Sequence, residues 1–130
     1  MTLPSRLRPY FEGGIVVTKG VDRCLFAFPP EEWAAFKANI KANADLSSRG
    51  RQLSRMFFSM AFEATLDRQG RVLIPTKLAC YAGLRRDVTI TGVDDRLEIW
   101  DTAEWNRYLT SADESFMEIV EELAGRDLGV

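Results

Sequence analysis

The sequence predicts an α+β fold in which one small module occurs twice and is followed by a helical C-terminus. Each copy contains a β-hairpin, a short helix, a second β-hairpin and a helix. Three observations predict this tandem pseudo-repeat. The two halves share motifs at a constant spacing, each half contains alternating apolar strand patterns, and the joining and final segments have helical spacing. The 130 residues are 46% apolar and 28% charged, which is typical of a globular domain with its own core.

The internal repeat places matching motifs 71 or 72 residues apart. The matching pairs are residues 3–7 with 74–78, 20–22 with 92–94, and 32–33 with 104–105. This period is too long for a solenoid repeat and indicates one duplicated module. The predicted boundaries are a first module at 1–44, a linker helix at 45–60, a second module at 61–110 and a C-terminal helix at 111–130.

The second module begins with a predicted hairpin. Its parts are a strand at 62–66, a tight turn at 67–70 and a return strand at 71–74. Asp67 opens the turn because its carboxylate can accept hydrogen bonds from nearby backbone amides, and Gly70 tolerates a positive φ. Pro75 ends the return strand because it lacks a backbone N–H.

The remaining elements of the second module follow in the same order as the repeat predicts. They are a helix to Tyr81 that ends near Gly83, strands at 88–91 and 96–100, and a further helix. Thr76 is expected to cap the first of these helices. Asp101 and Glu104 have capping-box spacing and are expected to open the second.

The first module has the same order but lacks its opening. The predicted elements are a helix from Ser5, strands at 15–18 and 24–28, and a helix from about Pro30. Nothing corresponds to residues 62–71, and Met1 falls where Val72 falls in the second copy. Half a hairpin leaves a sheet edge unpaired. We therefore expect the chain to be shortened at its N-terminus relative to the complete repeat.

Two helical stripes are expected to face inward. In the linker the stripe consists of Leu53, Met56, Phe57 and Met60. After position 111, a second capping box predicts a new helix, and its stripe consists of Phe116, Ile119, Val120 and Leu123. The three tryptophans lie in apolar stripes and are expected to anchor the core or a subunit interface.

The charge is unevenly distributed. The formal net charge of −2 combines +2 in residues 1–44 and +5 in residues 45–86 with −9 in residues 87–130. The acidic total argues against indiscriminate nucleic-acid binding, but it permits a local basic site because salt screens surface charges over about 10 Å.

Several function classes are disfavoured by composition. The chain has no histidine, which excludes Ser-His-Asp and Cys-His nucleophile systems and imidazole metal ligands. Cys24 and Cys80 are too few for a thiolate cluster. We therefore predict no catalytic residue, no cofactor, no metal and no small-molecule substrate. The chain also has no apolar run of membrane length and no signal pattern, so we expect a cytoplasmic protein without a membrane partner.

The combination of these motifs resembles the MraZ family. In the second half it consists of Asp67-Arg68-Gln69-Gly70-Arg71-Val72-Leu73-Ile74-Pro75, Glu98-Ile99-Trp100 and Glu104-Trp105. In the first half it consists of Thr2-Leu3-Pro4-Ser5-Arg6, Gly20-Val21-Asp22-Arg23-Cys24-Leu25 and Glu32-Trp33. The match covers nearly the whole chain.

The resemblance implies two intertwined AbrB-like swapped-hairpin half-barrels. It also implies a ring-shaped homo-oligomer in the nucleoid that binds double-stranded DNA at promoter repeats and regulates the bacterial division and cell-wall gene cluster. The family carries its DNA-contacting Asp-x-x-x-Arg pattern twice, and here the second copy is present as Asp67 and Arg71.

The candidate DNA-binding residues surround the turn. An arginine in the major groove can bond guanine at two points, and Arg71 is placed for that role or for a phosphate contact. Arg68, at the tip, is the candidate phosphate contact. Asp67 is expected to fix the turn and orient Arg71, and Gly70 to provide the turn conformation. Lys77 is a candidate for extending the positive surface, as are Arg85 and Arg86.

Two questions stay open at the level of sequence. Arg49, Arg51 and Arg55 in the linker helix are candidates to support DNA, to pair with the acidic C-terminal segment or to bridge subunits. The alternative function is an oligomeric protein-interaction or antitoxin-like scaffold that does not bind DNA, with the acidic segment as its docking site.

Overall fold

A computed structural model describes residues 1–126 as a five-stranded sheet with four α-helices and two 3-10 helices. The strands are β1 (Ile15–Lys19), β2 (Leu25–Phe28), β3 (Phe62–Ala64), β4 (Val88–Val93) and β5 (Arg96–Asp101). The α-helices are α1 (Pro30–Asn43), α2 (Ser48–Ser59), α3 (Thr76–Tyr81) and α4 (Thr102–Leu123), and the 3-10 helices are Arg8–Phe11 and Ala124–Arg126. The predicted α+β class with a helical C-terminus is confirmed.

The sheet joins the two halves of the chain. Its strand order is β3-β1-β2-β5-β4, and every pair is antiparallel. Ile15 in β1 lies opposite Ala64 in β3, and Leu25 in β2 lies opposite Ile99 in β5. Each half therefore completes its hydrogen bonding with a strand from the other.

The predicted hairpin at 62–74 is wrong in its pairing. The turn forms, but within the described chain β3 pairs with β1, and the return strand is reduced to a single bridge between Arg71 and Thr2. Val72 N donates to the Met1 carbonyl at 2.9 Å, and Met1 N donates to the Val72 carbonyl at 2.9 Å. Residues 1–3 thus replace the expected local partner, which matches an exchange of strands between the halves.

The second hairpin and its helix follow the prediction closely. β4 pairs with β5 up to Val93 opposite Arg96, around a turn in which Asp94 has a φ of 57°. Asp101 then caps α4, because its carboxylate accepts from Glu104 N at 3.3 Å.

The core lies on both faces of the sheet, because successive side chains of a strand point to opposite sides. One cluster contains Ile15, Val17, Leu25 and Ile99, and the other contains Val16, Phe26, Phe28, Trp33 and Trp100. The expectation of tryptophan core anchors is confirmed for Trp33 and Trp100, which are buried, while Trp105 is partly buried against Trp100.

Two predicted helix starts in the repeated motif are wrong. An α-helix from Ser5 would place Pro9 at an interior position, where it cannot donate and its ring clashes with the preceding turn. The chain instead makes four-residue turns, in which Leu7 N and Arg8 N donate to the carbonyls three residues earlier, followed by the 3-10 helix Arg8–Phe11. In the second copy, Pro75 occupies the N-cap position of α3, so Thr76 is the first helical residue and its side chain makes no cap hydrogen bond.

The predicted second start at Ser111 is also wrong, because α4 continues without a break from Thr102 to Leu123. Nothing between these residues interrupts a helix, since the segment contains neither glycine nor proline. One helix therefore crosses the boundary predicted at 110.

Both apolar stripes are more exposed than predicted. In α2, Leu53 and Met56 are 45% and 43% exposed, while Phe57 packs against the core. In α4, Phe116 is 60% exposed and Ile119 is 44% exposed. The described part of one chain therefore leaves two amphipathic helices with uncovered apolar faces.

Among residues 1–126, no helix combines the length and apolar content that crossing a bilayer requires.

Candidate nucleic-acid interface

The segment from Asp67 to Arg71 forms a closed turn that is exposed except at Gly70, which is buried. Gly70 N donates to the Asp67 carbonyl at 2.9 Å, and Asp67 N donates to the Arg71 carbonyl at 3.0 Å. Gly70 has a φ of +74°, which a residue with a Cβ adopts only at a cost. A positive φ at this position is the conformation for which glycine was expected, and the structural role of Gly70 stays a prediction.

The Asp67 carboxylate accepts three hydrogen bonds from residues of this turn. Its Oδ1 accepts from Gln69 N and from Arg71 N, both at 2.9 Å, and its Oδ2 accepts from Arg71 Nε at 2.8 Å. The hydrogen bond from Arg71 N, followed by the one from the Arg71 guanidinium, holds the pKa of Asp67 below its ordinary value. The Asp67 carboxylate thus contacts both the backbone of the turn and the Arg71 side chain.

The Arg71 guanidinium stays available to a ligand. Its side chain is 61% exposed, and Nη2 donates to Gln69 Oε1 at 3.3 Å. A guanidinium has five N–H donors, and the contacts of Arg71 within residues 1–126 use two of them. Three donors remain, two on Nη1 and one on Nη2, and an arginine binds a guanine edge or a phosphate at two points through donors on two of its nitrogens.

Arg8 lies directly against the turn and was not predicted from the sequence. Its Nε donates to the Leu3 carbonyl at 2.9 Å, and its Cζ lies 2.7 Å from the position that a Cβ on Gly70 would occupy. Arg8 comes from the first half, which reaches the turn because residues 1–3 pair with residues 70–72. The repeat spacing contains no signal for this contact, since it aligns Arg6 rather than Arg8 with Lys77.

The other candidate cations are exposed at separate places. Arg68 is exposed at the tip of the turn, and Lys77 is exposed in the first turn of α3. Arg85 and Arg86 line a surface depression with residues at the start of α4, including Glu104. The neighbours of Arg85 and Arg86 in this depression therefore belong to α4 rather than to the turn.

The ion pairs of the structure bear on the three roles that were predicted for the linker arginines. Arg49, Arg51 and Arg55 are exposed on α2, and none of them forms an ion pair within residues 1–126. Pairing with the acidic segment of the same chain is thus not seen in the described structure. Support of DNA and bridging of subunits stay as predictions.

The described residues do not form a metal site. Residues 1–126 contain no group of three or more acidic, cysteine or histidine side chains arranged to hold an ion. Cys24 is buried, and Cys80 is exposed.

Comparison with known proteins gives a consistent family. The profile of the family described as "MraZ protein, putative antitoxin-like" matches residues 1–54 and 57–127. A protein of Frankia alni named "Transcriptional regulator MraZ" is 44% identical over 95% of this chain and 86% of its own length. Proteins of the same name from Frankia casuarinae and a Parafrankia species are 43% and 42% identical over the same shares of each chain.

The relatives carry the name of a regulator rather than of an enzyme. The matched regions span both predicted modules and include the turn from Asp67 to Arg71. On this coverage and identity, the chain belongs to the MraZ family.

Proposed function

We propose that this protein is a transcriptional regulator that binds double-stranded DNA through the turn from Asp67 to Arg71. The observation that carries the proposal is the exposed Arg71 guanidinium, which Asp67 holds in place while leaving Nη1 free for a ligand. The names of the relatives support the regulatory role. Binding of this kind needs no catalysis and no cofactor.

The proposed roles follow from the chemistry of each side chain. Arg71 bonds a guanine edge in the major groove, where a bidentate contact gives about 1–3 kcal/mol of discrimination. Arg68 binds phosphate from the tip of the turn, and Lys77 extends the positive surface. Asp67 is a positioning residue, because a carboxylate that faced phosphate would be repelled.

We further propose that the protein acts as a ring-shaped homo-oligomer on repeated promoter sites of the bacterial division and cell-wall gene cluster, in the cytoplasm at the nucleoid. A single turn contacts few phosphates and gives weak, salt-sensitive binding. Several turns on one assembly convert this into high avidity when the repeats have matching spacing. The two modules, with boundaries near 44, 60 and 110, supply the exchanged strands beneath the turn.

A second candidate is an oligomeric protein-interaction scaffold that does not bind DNA. The observation in its favour is the exposed apolar and acidic surface of α4. Removal of the Arg71 side chain distinguishes the two functions, because it lowers DNA affinity only if the turn binds DNA.

The test measures fluorescence anisotropy with a labelled duplex taken from the region upstream of the protein's own gene, titrated at several salt concentrations. Arg71→Ala is compared with Arg107→Ala as a matched control. Arg107 also pairs with a carboxylate at 2.8 Å, that of Glu104, and is 72% exposed. Both variants therefore remove one exposed arginine and one exposed ion pair.

We expect Arg71→Ala to weaken binding by about 5-fold or more, which corresponds to the lower end of a specific base contact. If Arg71 also neutralises a phosphate, its removal reduces the slope of log affinity against log salt by about one. Arg107→Ala should leave both quantities near the wild-type values. Equal affinity and slope for wild type and Arg71→Ala would favour the scaffold.

A further inference from the structure

The far half of α4 presents an apolar stripe edged by acid. Phe116 and Ile119 are exposed on one face of the helix, and Trp105 and Tyr108 on the same face pack with Trp100 nearer its start. The acidic residues of this far half are Asp113, Glu114, Glu118, Glu121 and Glu122. Within residues 1–126 this stripe stays exposed. The surface complementary to it is apolar and carries positive charge.

The outer face of α2 has those properties. Arg49, Leu53 and Met56 follow each other at spacings of four and three residues, so they share one face, and all three are exposed. The other side of the helix is anchored to the core, because Phe58 packs on Trp33 with ring centroids 6.1 Å apart, and the adjoining Phe57 packs on Phe36 with ring centroids 5.2 Å apart. α2 is thus fixed to the sheet on one side and leaves the face of Arg49, Leu53 and Met56 exposed.

From this complementarity we propose that α2 of one subunit is the docking site for the far half of α4 of a second copy of this chain. The arginines of α2 form no ion pair within residues 1–126, and α4 brings five carboxylates within ten residues. Opposite charges at the edge of an apolar contact favour the correct partner and register. Leu53 and Met56 then pack against Phe116 and Ile119.

Pairing of α4 with α4 of another subunit is disfavoured by the same charges. It would bring together the acidic edges of two stripes, which carry Asp113 and Glu122 in each copy, and like charges across an interface are destabilising. A contact of α2 with α2 through the same face would likewise oppose the Arg49 side chains of the two copies. The heterologous contact between α2 and α4 avoids both of these repulsions between like charges.

The geometry of the contact has a consequence for assembly. Because the two surfaces of the pair differ, each subunit uses its α4 on one neighbour and its α2 on the other. Such a head-to-tail contact generates a ring when the rotation closes. The inference therefore rests on the self-association in the proposed function and names the surfaces that produce it.

The test measures the mass of the assembled protein by native mass spectrometry and by light scattering at physiological salt. Arg49→Glu combined with Arg55→Glu reverses the charge of α2. Asp113→Lys combined with Glu122→Lys reverses charge beside the apolar stripe of α4, because these positions lie three residues from Phe116 and Ile119. The full chain is used throughout.

Each pair of reversals alone should shift the assembled mass toward smaller species, and all four together should restore the wild-type mass. The matched control is Glu114→Lys with Glu118→Lys, which makes the same change of charge on the opposite side of α4 and should affect the mass much less. Failure of the four changes to restore the mass that either pair has reduced would overturn the proposal, as would a wild-type mass in every variant.

A charge-neutral variant separates this inference from DNA binding. Phe116→Ser changes an exposed side chain, so we expect a thermal midpoint close to that of the wild type, together with a reduced assembled mass. Its affinity for a duplex with one binding repeat should stay within about 2-fold of wild type, while its avidity for several repeats falls. A wild type that is monomeric, or that assembles only with a different protein, would overturn the proposal and leave the role of Arg71 to its own test.

Discussion

Asp67 contacts Arg71 at two points, its backbone amide at 2.9 Å and its guanidinium Nε at 2.8 Å, so one carboxylate both closes the turn and aims the cation. The pair is exposed, and its importance lies in orientation rather than in stability, because solvent screens exposed ion pairs and they stabilise a fold little. An arginine held in one orientation loses less entropy when it binds DNA than a free one.

The pKa of Asp67 tests this geometry directly. Hydrogen bonds from Arg71 N and from its guanidinium lower the pKa in the folded state. The stabilisation is therefore fully present above the unfolded-state pKa and is lost as the pH falls through the lower folded pKa. Nuclear magnetic resonance titration of the Asp67 carboxyl carbon should give a midpoint below the ordinary aspartate value.

Arg71→Ala provides the control for that titration. It removes the guanidinium but keeps the backbone donor, so the midpoint should rise part of the way to the ordinary value. A wild-type midpoint at or above the ordinary value would show that the carboxylate does not accept these hydrogen bonds in solution.

Gly70→Ala should destabilise the protein by more than about 1 kcal/mol, because the residue has a positive φ and its new Cβ would collide with the Arg8 side chain. The measurement is urea unfolding followed by circular dichroism. Gly83→Ala is the matched control, since Gly83 also has a positive φ, of 62°, but its Cβ would meet nothing within 4 Å. Equal losses in the two variants would contradict the expected extra cost and show that the Arg8 side chain moves aside freely.

The two cysteines should differ sharply in reactivity. Burial, followed by the charge of Glu98, raises the pKa of the Cys24 thiol to about 12, so very little reactive thiolate forms near neutral pH. Cys80 is exposed. A thiol reagent should titrate one group in the native protein and two in urea, and Cys80→Ser should abolish the native reaction. Rapid native labelling of Cys24 would contradict the described core.

Thr18→Val should destabilise the protein by about 1–3 kcal/mol, because it leaves a carbonyl without a donor in a largely buried place. Thr18 is buried, and its Oγ1 donates to the Phe57 carbonyl at 2.6 Å near the end of α2. Chemical unfolding measures the loss. Thr110→Val is the control, because the Thr110 hydroxyl donates to the Asn106 carbonyl on an exposed helix face. A similar loss in both variants would argue against a special anchor at the end of α2.

Local chemistry could be predicted from the sequence wherever neighbours along the chain determine it. The carboxylate of Asp67 in the turn, the positive φ of Gly70 and the cap at Asp101 all depend on residues within four positions, and all three were predicted. The continuous α4 was not, because a capping-box pattern at Ser111 also occurs inside a helix that no breaker interrupts.

Which strands pair with each other in the sheet could not be predicted from sequence spacing alone. Residues 62–66 and 71–74 have strand patterns and a competent turn between them, yet β3 pairs with β1, and Val72 pairs with Met1. The periodicity of a strand identifies its buried face but not the strand beside it. The contact of Arg8 with Gly70 depends on that exchange, and for this reason it could not be predicted.

The central claim is that Arg71 reads DNA sequence, and the most direct measurement is the ratio of affinities for the upstream duplex and a scrambled duplex of equal length, for wild type and Arg71→Ala. A base contact is worth about 1–3 kcal/mol, so the account predicts that the ratio falls by about 5-fold or more in Arg71→Ala. It also predicts that Arg68→Ala, which lacks the phosphate-binding side chain, weakens binding to both duplexes by a similar factor and leaves the ratio nearly unchanged. A ratio that is the same in wild type and Arg71→Ala would contradict the claim.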